Sequence, residues 1–444
     1  MAPDVMTALR PCWVMSPLVV ASVLPPGRWF DVVVFDEASQ VPPAEAVSAI
    51  SRARQVVLAG DSHQLRPTSF FTTVTDEVAP VGQGPLTDGV ESILDVLSAT
   101  LPLRRLRWHY RSLDERLIAF ANHQVYEGGL VTFPGVGEDP ALVLESVDGQ
   151  GMVDEQSAAV ESTRAEVDRV VSLVLEHARR RPDESLGVVT LGLVHAQRIE
   201  DALTAALGAV EDEVAAFFDE EAPTPFFVKN LERVQGDERD AIILSVGYGK
   251  TPHGRVLHRF GPLNIAGGER RLNVAVTRAR RRMTVVSSLR AADLDPARLK
   301  AAGALMLRDF LAYAERGGDL VPSSASGRDG EAPPAVPPLH LELADRLRDQ
   351  GLTVHLDVGS SRARVDLAVE DPRRPGRMAL AVTTDGPAHA AMASSRDRDR
   401  LREEQLGRLG WQTVRVWTTD VYRDPARDVE RIRALTDPVP PDAD

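Results

Sequence analysis

The chain has 444 residues, which at roughly 100–200 residues per domain suggests two or three domains, each burying its own core. Apolar residues make up 43% and charged residues 26%, values that exclude a wholly disordered or collagen-like chain. A single cysteine, Cys12, excludes an intramolecular disulfide framework and a cysteine-cluster metal site, and fits a reducing, cytoplasmic setting. With 51 basic and 65 acidic residues the formal charge is −14, which argues against a surface coated all round for nucleic acid. The basic residues are nevertheless distinctive: three are lysines (Lys229, Lys250, Lys300), leaving 48 arginines, which bunch at 104–111, 270–282 and 396–402. Arginine bunching suits phosphate binding, because the planar guanidinium meets two oxygens at once, and it also suits a plain arginine- and alanine-rich bias.

In chain order, the apolar stretch 12–24 has the length of a signal segment, but Asp4 stands in its would-be basic region and Pro17 interrupts it. No run of 18 apolar residues predicts a membrane span. The β-branched runs Val32–Phe35, Val56–Ala59, Val188–Thr190, Ile242–Val246 and Val285–Val286 predict buried strands, and helical-period segments such as Glu166–Ala178 separate several of them. That alternation predicts doubly wound α/β layers. At 317–338, five prolines, three serines and four glycines replace periodic sequence and predict a linker. Beyond it, Leu339, Leu343 and Leu347 predict a helix over 339–350 that stops at Gly351. Strands at Val354–Val358, Val365–Val369 and Met378–Thr384, a charged helix at 395–409 and a last strand at Thr413–Trp417 complete an αβββαβ domain.

The chemistry begins where Val32-Val-Val-Phe35 delivers Asp36 and Glu37 at a strand's C-terminal end, the place where open α/β sheets bind ligands. Phosphoryl transfer needs one acid to hold Mg²⁺ and another to polarise the attacking water; Asp36 fits the first role and Glu37 the second. The segment Val56-Val-Leu-Ala-Gly60-Asp61-Ser-His-Gln64-Leu-Arg-Pro67 repeats the design of strand, turn and polar side chain. Together, Asp36-Glu-Ala-Ser-Gln40 and Gly60-Asp-Ser-His-Gln64-Leu-Arg-Pro67 resemble motifs II and III of the superfamily 1 helicases, in the DEAxQ branch that contains the nonsense-mediated-decay helicase. Three further segments follow in that family's order: Trp108-His-Tyr-Arg111-Ser112, similar to motif IV; Val234-Gln-Gly236-Asp-Glu238-Arg-Asp240, similar to motif V; and Arg270-Arg-Leu-Asn273-Val-Ala-Val-Thr277-Arg278-Ala-Arg280, similar to motif VI.

The resemblance, over about residues 10–315, implies two RecA-like P-loop NTPase domains that use ATP and Mg²⁺ and act on nucleic acid. It implies that Gln64 senses the γ-phosphate, Asp61 couples hydrolysis to nucleic-acid contact, Arg111 meets the γ-phosphate, Gly236 admits the ligand, Glu238 bonds the ribose and Arg278 is the arginine finger. One expected part is absent. No GxxxxGKS/T stands upstream of motif II, where Lys229 is the first lysine of the chain and only 35 residues precede Asp36. Gly249-Lys250-Thr251 does not supply it, since Leu244 occupies the position of the first glycine and Pro252 follows. The expectation is a truncated first RecA-like domain (1–100), exposing a sheet edge and apolar surface, and an apparently complete second one (101–316). A partner chain carrying the P-loop, a split gene and a misplaced gene start all fit that expectation.

Residues 339–433 resemble the very-short-patch-repair-like branch of the PD-(D/E)xK nucleases through Val365-Asp366-Leu-Ala-Val369, Asp385-Gly-Pro-Ala-His389, Arg396-Asp-Arg-Asp-Arg-Leu-Arg402, Gly410-Trp411 and Val414-Arg-Val-Trp417. The resemblance assigns 339–444 a nuclease-like domain, with Asp366 and Asp385 as Mg²⁺ positions. Where that family reads Ile-Glu-Cys-Asp-Gly, this chain reads Val382-Thr383-Thr384-Asp385-Gly386, so Thr383 replaces the catalytic glutamate. A neutral hydroxyl is a weak Mg²⁺ ligand. The expectation is a degenerate nuclease fold kept for DNA contact, with Asp385, His389 or Glu342 as the carboxylates and histidine from which a migrated site would be built. Two readings remain: a helicase-type ATP-dependent translocating or unwinding module, DNA-directed more than RNA-directed, and a non-catalytic nucleic-acid-binding or assembly subunit.

Overall fold

The computed structural model describes residues 8–67, 91–137, 140–151, 159–160, 162–208, 211–320, 336–390, 392 and 394–436. The chain divides into two compact units, residues 1–105 and 106–444. Most of the expected linker, 321–335, lies outside the described residues.

In the first unit, β1 (Phe30–Phe35) and β2 (Ala53–Leu58) pair in parallel. The helix Pro43–Ile50 joins them, opened by a proline at its first turn, where the missing N–H costs nothing. Phe35, Ala38, Ala46, Ala49 and Ile93 form the core. The strand pattern anticipated burial, yet Val32 and Val34 are 43% and 63% exposed and Val57 49%. Parallel strands are stable when both faces are covered; here the two strands carry the core on one face.

The second unit holds two α/β layers. A five-stranded parallel sheet has the order β3-β7-β6-β4-β5, from β3 (Leu142–Ser146), β4 (Leu186–Thr190), β5 (Phe227–Asn230), β6 (Arg239–Ser245) and β7 (Ala279–Ser287). The short strands β3 and β5, absent from the sequence reading, are its two edges. The helix Arg164–Arg180 packs Val167, Val170 and Val174 on β4 and β6, together with Ile199 from the helix Leu193–Leu207. Burying these side chains stabilises the layer by roughly 1.5–3 kcal/mol each.

The nuclease-like layer has the order β11-β10-β9-β8: β8 (Val354–Val358), β9 (Val365–Asp371) and β10 (Arg374–Thr384) are antiparallel, and β11 (Gln412–Val416) runs parallel to β10. The helix Pro338–Asp349 ends where Gly351 adopts φ +83° and the Leu352 amide reaches back to the Leu347 carbonyl, a closure that only glycine adopts without strain. Two elements differ from the sequence pattern. The charged helix opens with a π-helical turn, Asp397–Leu401, before its α-helical part Arg402–Arg408, and two further helices, Thr418–Arg423 and Pro425–Thr436, close the fold by packing Val421, Val429 and Ile432 on the 338–349 helix and the sheet.

Candidate functional site

In the first unit the two acidic and polar turns meet at the strand ends. The Ala59 amide donates to the Phe35 carbonyl (2.8 Å), and the Ala38 amide donates to that of Ala59 (2.9 Å). Glu37 sits in the left-handed region at φ +50°, an uncommon conformation for glutamate that turns the chain away from the strand. Asp36 Oδ1 accepts the Glu37 amide (2.9 Å), and Gln40 Nε2 donates to Glu37 Oε2 (3.3 Å). A side chain at Gly60 would put its Cβ 3.0 Å from the Ser39 nitrogen and 3.1 Å from that of Ala38, so glycine is what lets the second turn lie against the first. Gln64 Nε2 is held by Asp61 Oδ2 (3.0 Å). Asp36, Glu37, Asp61 and Gln64 thus belong to one pair of packed turns.

In the second unit Arg111 and Glu238, 127 residues apart, form an ion pair at 2.6 Å. Arg111 Nη1 also reaches the Thr277 carbonyl (3.5 Å). Arg278 enters the same corner from inside: it is 1% exposed, its Nε donates to the Val274 carbonyl (2.7 Å), its Nη2 to Thr277 Oγ1 (3.1 Å), and its Nη1 to the carbonyl of Asp237 (3.5 Å). Gly236 lies at φ +87° with open space where a Cβ would stand, so backbone is presented beside Glu238 without cover. Arg111, Gly236, Glu238 and Arg278 therefore share one corner. Motif V continues into Asp240, where burial opposes ionisation. The bonds from Ser185 and the charges of Arg280 and Arg281 outweigh it and hold the carboxyl below the ordinary aspartate value.

Sequence reasoning missed two groups near this corner. Tyr110, the neighbour of Arg111 in the chain, is 69% exposed; its signal was the aromatic residue inside the motif itself. His109 accepts the Ser112 amide at Nε2 (3.1 Å), and burial, then Arg111, lowers its pKa from 6.5 to about 4, so it stands neutral at physiological pH. Farther off, Lys250 pairs with Asp293 (2.9 Å), and Thr251 is buried, an arrangement unlike a phosphate-cradling loop. Glu166 is wholly buried, accepting Ser245 Oγ (3.0 Å) and the amides of Gly247 (2.7 Å) and Ser288 (2.8 Å), with its pKa pushed up by desolvation.

In the nuclease-like layer Leu367 faces Val382 across β9 and β10. On the other side of β10, Thr383 pairs with Arg415 on β11. Asp366 Oδ2 accepts both the amide and the hydroxyl of Thr384 (2.7 and 3.0 Å), and His340 Nε2 bonds the same hydroxyl (2.9 Å). Thr383 is buried, its hydroxyl 3.5 Å from the Val414 carbonyl. Asp385 turns to Thr418, whose amide donates to it at 2.8 Å. Burial works against ionisation there, but the Thr418 bonds and the nearby His389 keep the carboxyl below its ordinary value. Glu342 is exposed and paired with Arg346 (2.8 Å), and His389 lies 3.8 Å from Asp399. Among the described residues no group of three His, Cys, Asp or Glu could hold a metal ion.

Three protein families match parts of the chain. Residues 21–71 match the AAA domain family AAA_11, residues 91–290 the AAA domain family AAA_12, and residues 340–435 the REase_MTES_1575 family. An uncharacterised ATP-dependent helicase of Mycoplasma pneumoniae, the MG140 homolog, is 28% identical over 93% of this chain and 37% of its own length. Its Mycoplasma genitalium counterpart is 31% identical over 70% of this chain and 28% of its own. DNA-binding protein SMUBP-2 of Rattus norvegicus is 28% identical over 59% and 25%. The chain spans between a quarter and two-fifths of the length of these relatives. Among solved structures, the C-terminal domain of a possible DNA helicase from Lactobacillus plantarum aligns over 43% of this chain and 94% of its own at 17% identity and a TM-score of 0.25, too distant to carry weight. Among the described residues no helix is long and apolar enough to cross a membrane.

Proposed function

Since the chain carries helicase-type AAA domains followed by a restriction-endonuclease-like domain, we propose that it forms part of an ATP-dependent helicase that moves along nucleic acid, DNA more than RNA. The observation that carries this reading is the corner in which Arg111, Gly236, Glu238 and Arg278 converge from three separate motifs.

The residues fit a nucleoside triphosphate and its Mg²⁺. The uncovered backbone at Gly236 admits a ligand, Glu238 offers an acceptor to a ribose hydroxyl, and the exposed face of Tyr110 suits a base. Asp36 would hold Mg²⁺, which needs only one or two protein carboxylates when phosphates complete its shell. When bound, the metal neutralises charge on the phosphates. Within the first unit, Glu37 suits a base toward water and Gln64 a phosphate oxygen; within the second, Arg111 and Arg278 suit the negative charge of a phosphate. The 444 residues contain no GxxxxGKS/T to grip the phosphates, so we assign that grip to a polypeptide outside them.

The nuclease-like centre does not fit the metal its fold implies. Asp366 is spent on Thr384, Asp385 on Thr418, and Thr383 brings no charge. We propose that this domain contacts nucleic acid without cutting it.

The test is equilibrium binding of single-stranded and duplex DNA at two salt concentrations. Single strands are expected to be preferred, with affinity falling steeply as salt rises, since each phosphate contact releases counterions. Affinity indifferent to salt, or a strong preference for duplex, would remove the basis of the reading.

A further inference from the structure

The nuclease-like layer is fastened to the strap of chain that carries Arg111. Residues 107–113 are held from two sides: at 112–113 by β7, where the Leu113 amide donates to the Arg280 carbonyl (2.7 Å) and the Ser112 hydroxyl to that of Ala279 (3.3 Å), and at 107–109 by the segment 131–136. The His109 amide donates to the Val131 carbonyl (2.9 Å) and the Val131 amide to that of Arg107 (2.7 Å), and the Trp108 ring packs edge-on against Phe133 at 5.1 Å. The other side of 131–136 belongs to the nuclease-like layer. Phe133 and Val136 share one buried cluster with Val365, Ala368, Ala381, Leu406, Leu409 and Trp411. The buried Trp411 indole N–H donates to the Pro134 carbonyl (2.7 Å), and the Met378 amide donates to that of Val136 (2.8 Å).

A polar clasp flanks this core. Ser361 Oγ accepts the Thr132 amide (3.0 Å) and donates to the Thr132 carbonyl (2.6 Å), while Ser360 donates amide and hydroxyl to Glu115 Oε2 (2.9 and 2.7 Å). An apolar cluster whose members come from both layers, closed by satisfied hydrogen bonds, is a core rather than a loose surface contact.

We propose that the nuclease-like domain serves as a buttress for the nucleotide-facing strap, with Trp411 as its central positioning residue: it fixes 131–136, which fixes 107–109, the side of the strap before Arg111 that β7 does not hold, and so helps set Arg111 against Glu238. This gives the domain a purpose that needs no metal. The mechanical coupling stands on these contacts alone, whereas its consequence for nucleotide binding rests on the function proposed above.

Amide hydrogen exchange on the whole chain separates the two. In Trp411→Ala, exchange at the amides of His109 and Val131 is expected to rise at least tenfold, together with Thr132 and Met378, while Val188 and Ile243 in the five-stranded sheet stay as they are. Trp411→Phe keeps the apolar plate and loses only the N–H, so it should restore most of the protection. Should Trp411→Ala also open Leu367 and Val382, showing that the nuclease-like sheet itself has unfolded, the double variant Ser360→Ala/Ser361→Ala decides, since it strips the clasp without touching either core; a rise of about threefold at His109 and Val131 is expected. Unchanged exchange at His109 and Val131 in the variant that decides would overturn the proposal. Coupled exchange without any change in nucleotide affinity would leave the buttress standing and count against the helicase reading alone.

Discussion

The two sheets of the second unit end in opposite ways. At the corner of the five-stranded sheet, side chains from three distant motifs find one another: Arg111 meets Glu238 at 2.6 Å, and Arg278 reaches the neighbouring carbonyl. On the nuclease-like sheet, the Asp366 carboxylate is consumed by Thr384, and the neighbouring Thr383 brings no charge. Both folds are equally well packed, because apolar alternation and burial set a fold, whereas one or two side chains set its chemistry. A sheet can therefore lose its reaction and keep its shape, and the shape is then free to act as a support.

The largest effect should come from restoring what the second sheet lacks. Thr383→Glu places a carboxylate next to Thr384, the residue that holds Asp366, and is the single change most apt to create Mg²⁺-dependent DNA nicking, by an order of magnitude or more above the background of the unaltered chain, read on supercoiled plasmid. If the unaltered chain already cuts, and Asp366→Ala abolishes cutting, another carboxylate has taken over and the contrast between the sheets collapses.

The next effect probes the other corner. Arg111→Ala should weaken binding of a fluorescent ATP analogue by about 10–100-fold, since charge-assisted hydrogen bonds are worth roughly 1.5–3 kcal/mol. Binding indifferent to Arg111 would mean that the pair with Glu238 is only structural.

A smaller effect is expected from acid. Burial lowers His109 and His195 from 6.5 to about 4. The folded state takes up those protons later than the unfolded one, so their contribution is complete above pH 6.5 and is lost as the pH falls toward 4. Glu166, with its pKa pushed up by desolvation, works the other way and reduces the loss. Urea unfolding at pH 7 and pH 4.5 should differ by about 1–3 kcal/mol, less stable in acid; His195→Gln should flatten part of the slope.

What the sequence made legible follows the range over which its signals act. Val354–Val358 and the helix stopping at Gly351 are local patterns, and they appear where expected. Phe227–Asn230 and Leu142–Ser146 are edge strands with a single β-branched residue each, unlike the β-branched runs Val188–Thr190 and Ile242–Val246. The helices Thr418–Arg423 and Pro425–Thr436 hide behind β-prone residues such as Val421 and Tyr422, and only packing on the 338–349 helix reveals their apolar face. The motif residues could be named from sequence. That Arg278 is buried to 1%, that Asp366 turns to Thr384, and that Trp411 bonds Pro134 from 277 residues away are products of tertiary packing that no local pattern encodes.

The central claim, a helicase site whose phosphate grip lies outside these residues, is tested most directly by ATP hydrolysis of the purified 444-residue chain with and without single-stranded DNA. The account predicts turnover near background in both, with weak residual nucleotide binding that depends on Arg111 and Arg278. Robust DNA-stimulated turnover by these residues alone, abolished by Glu37→Gln, would contradict it.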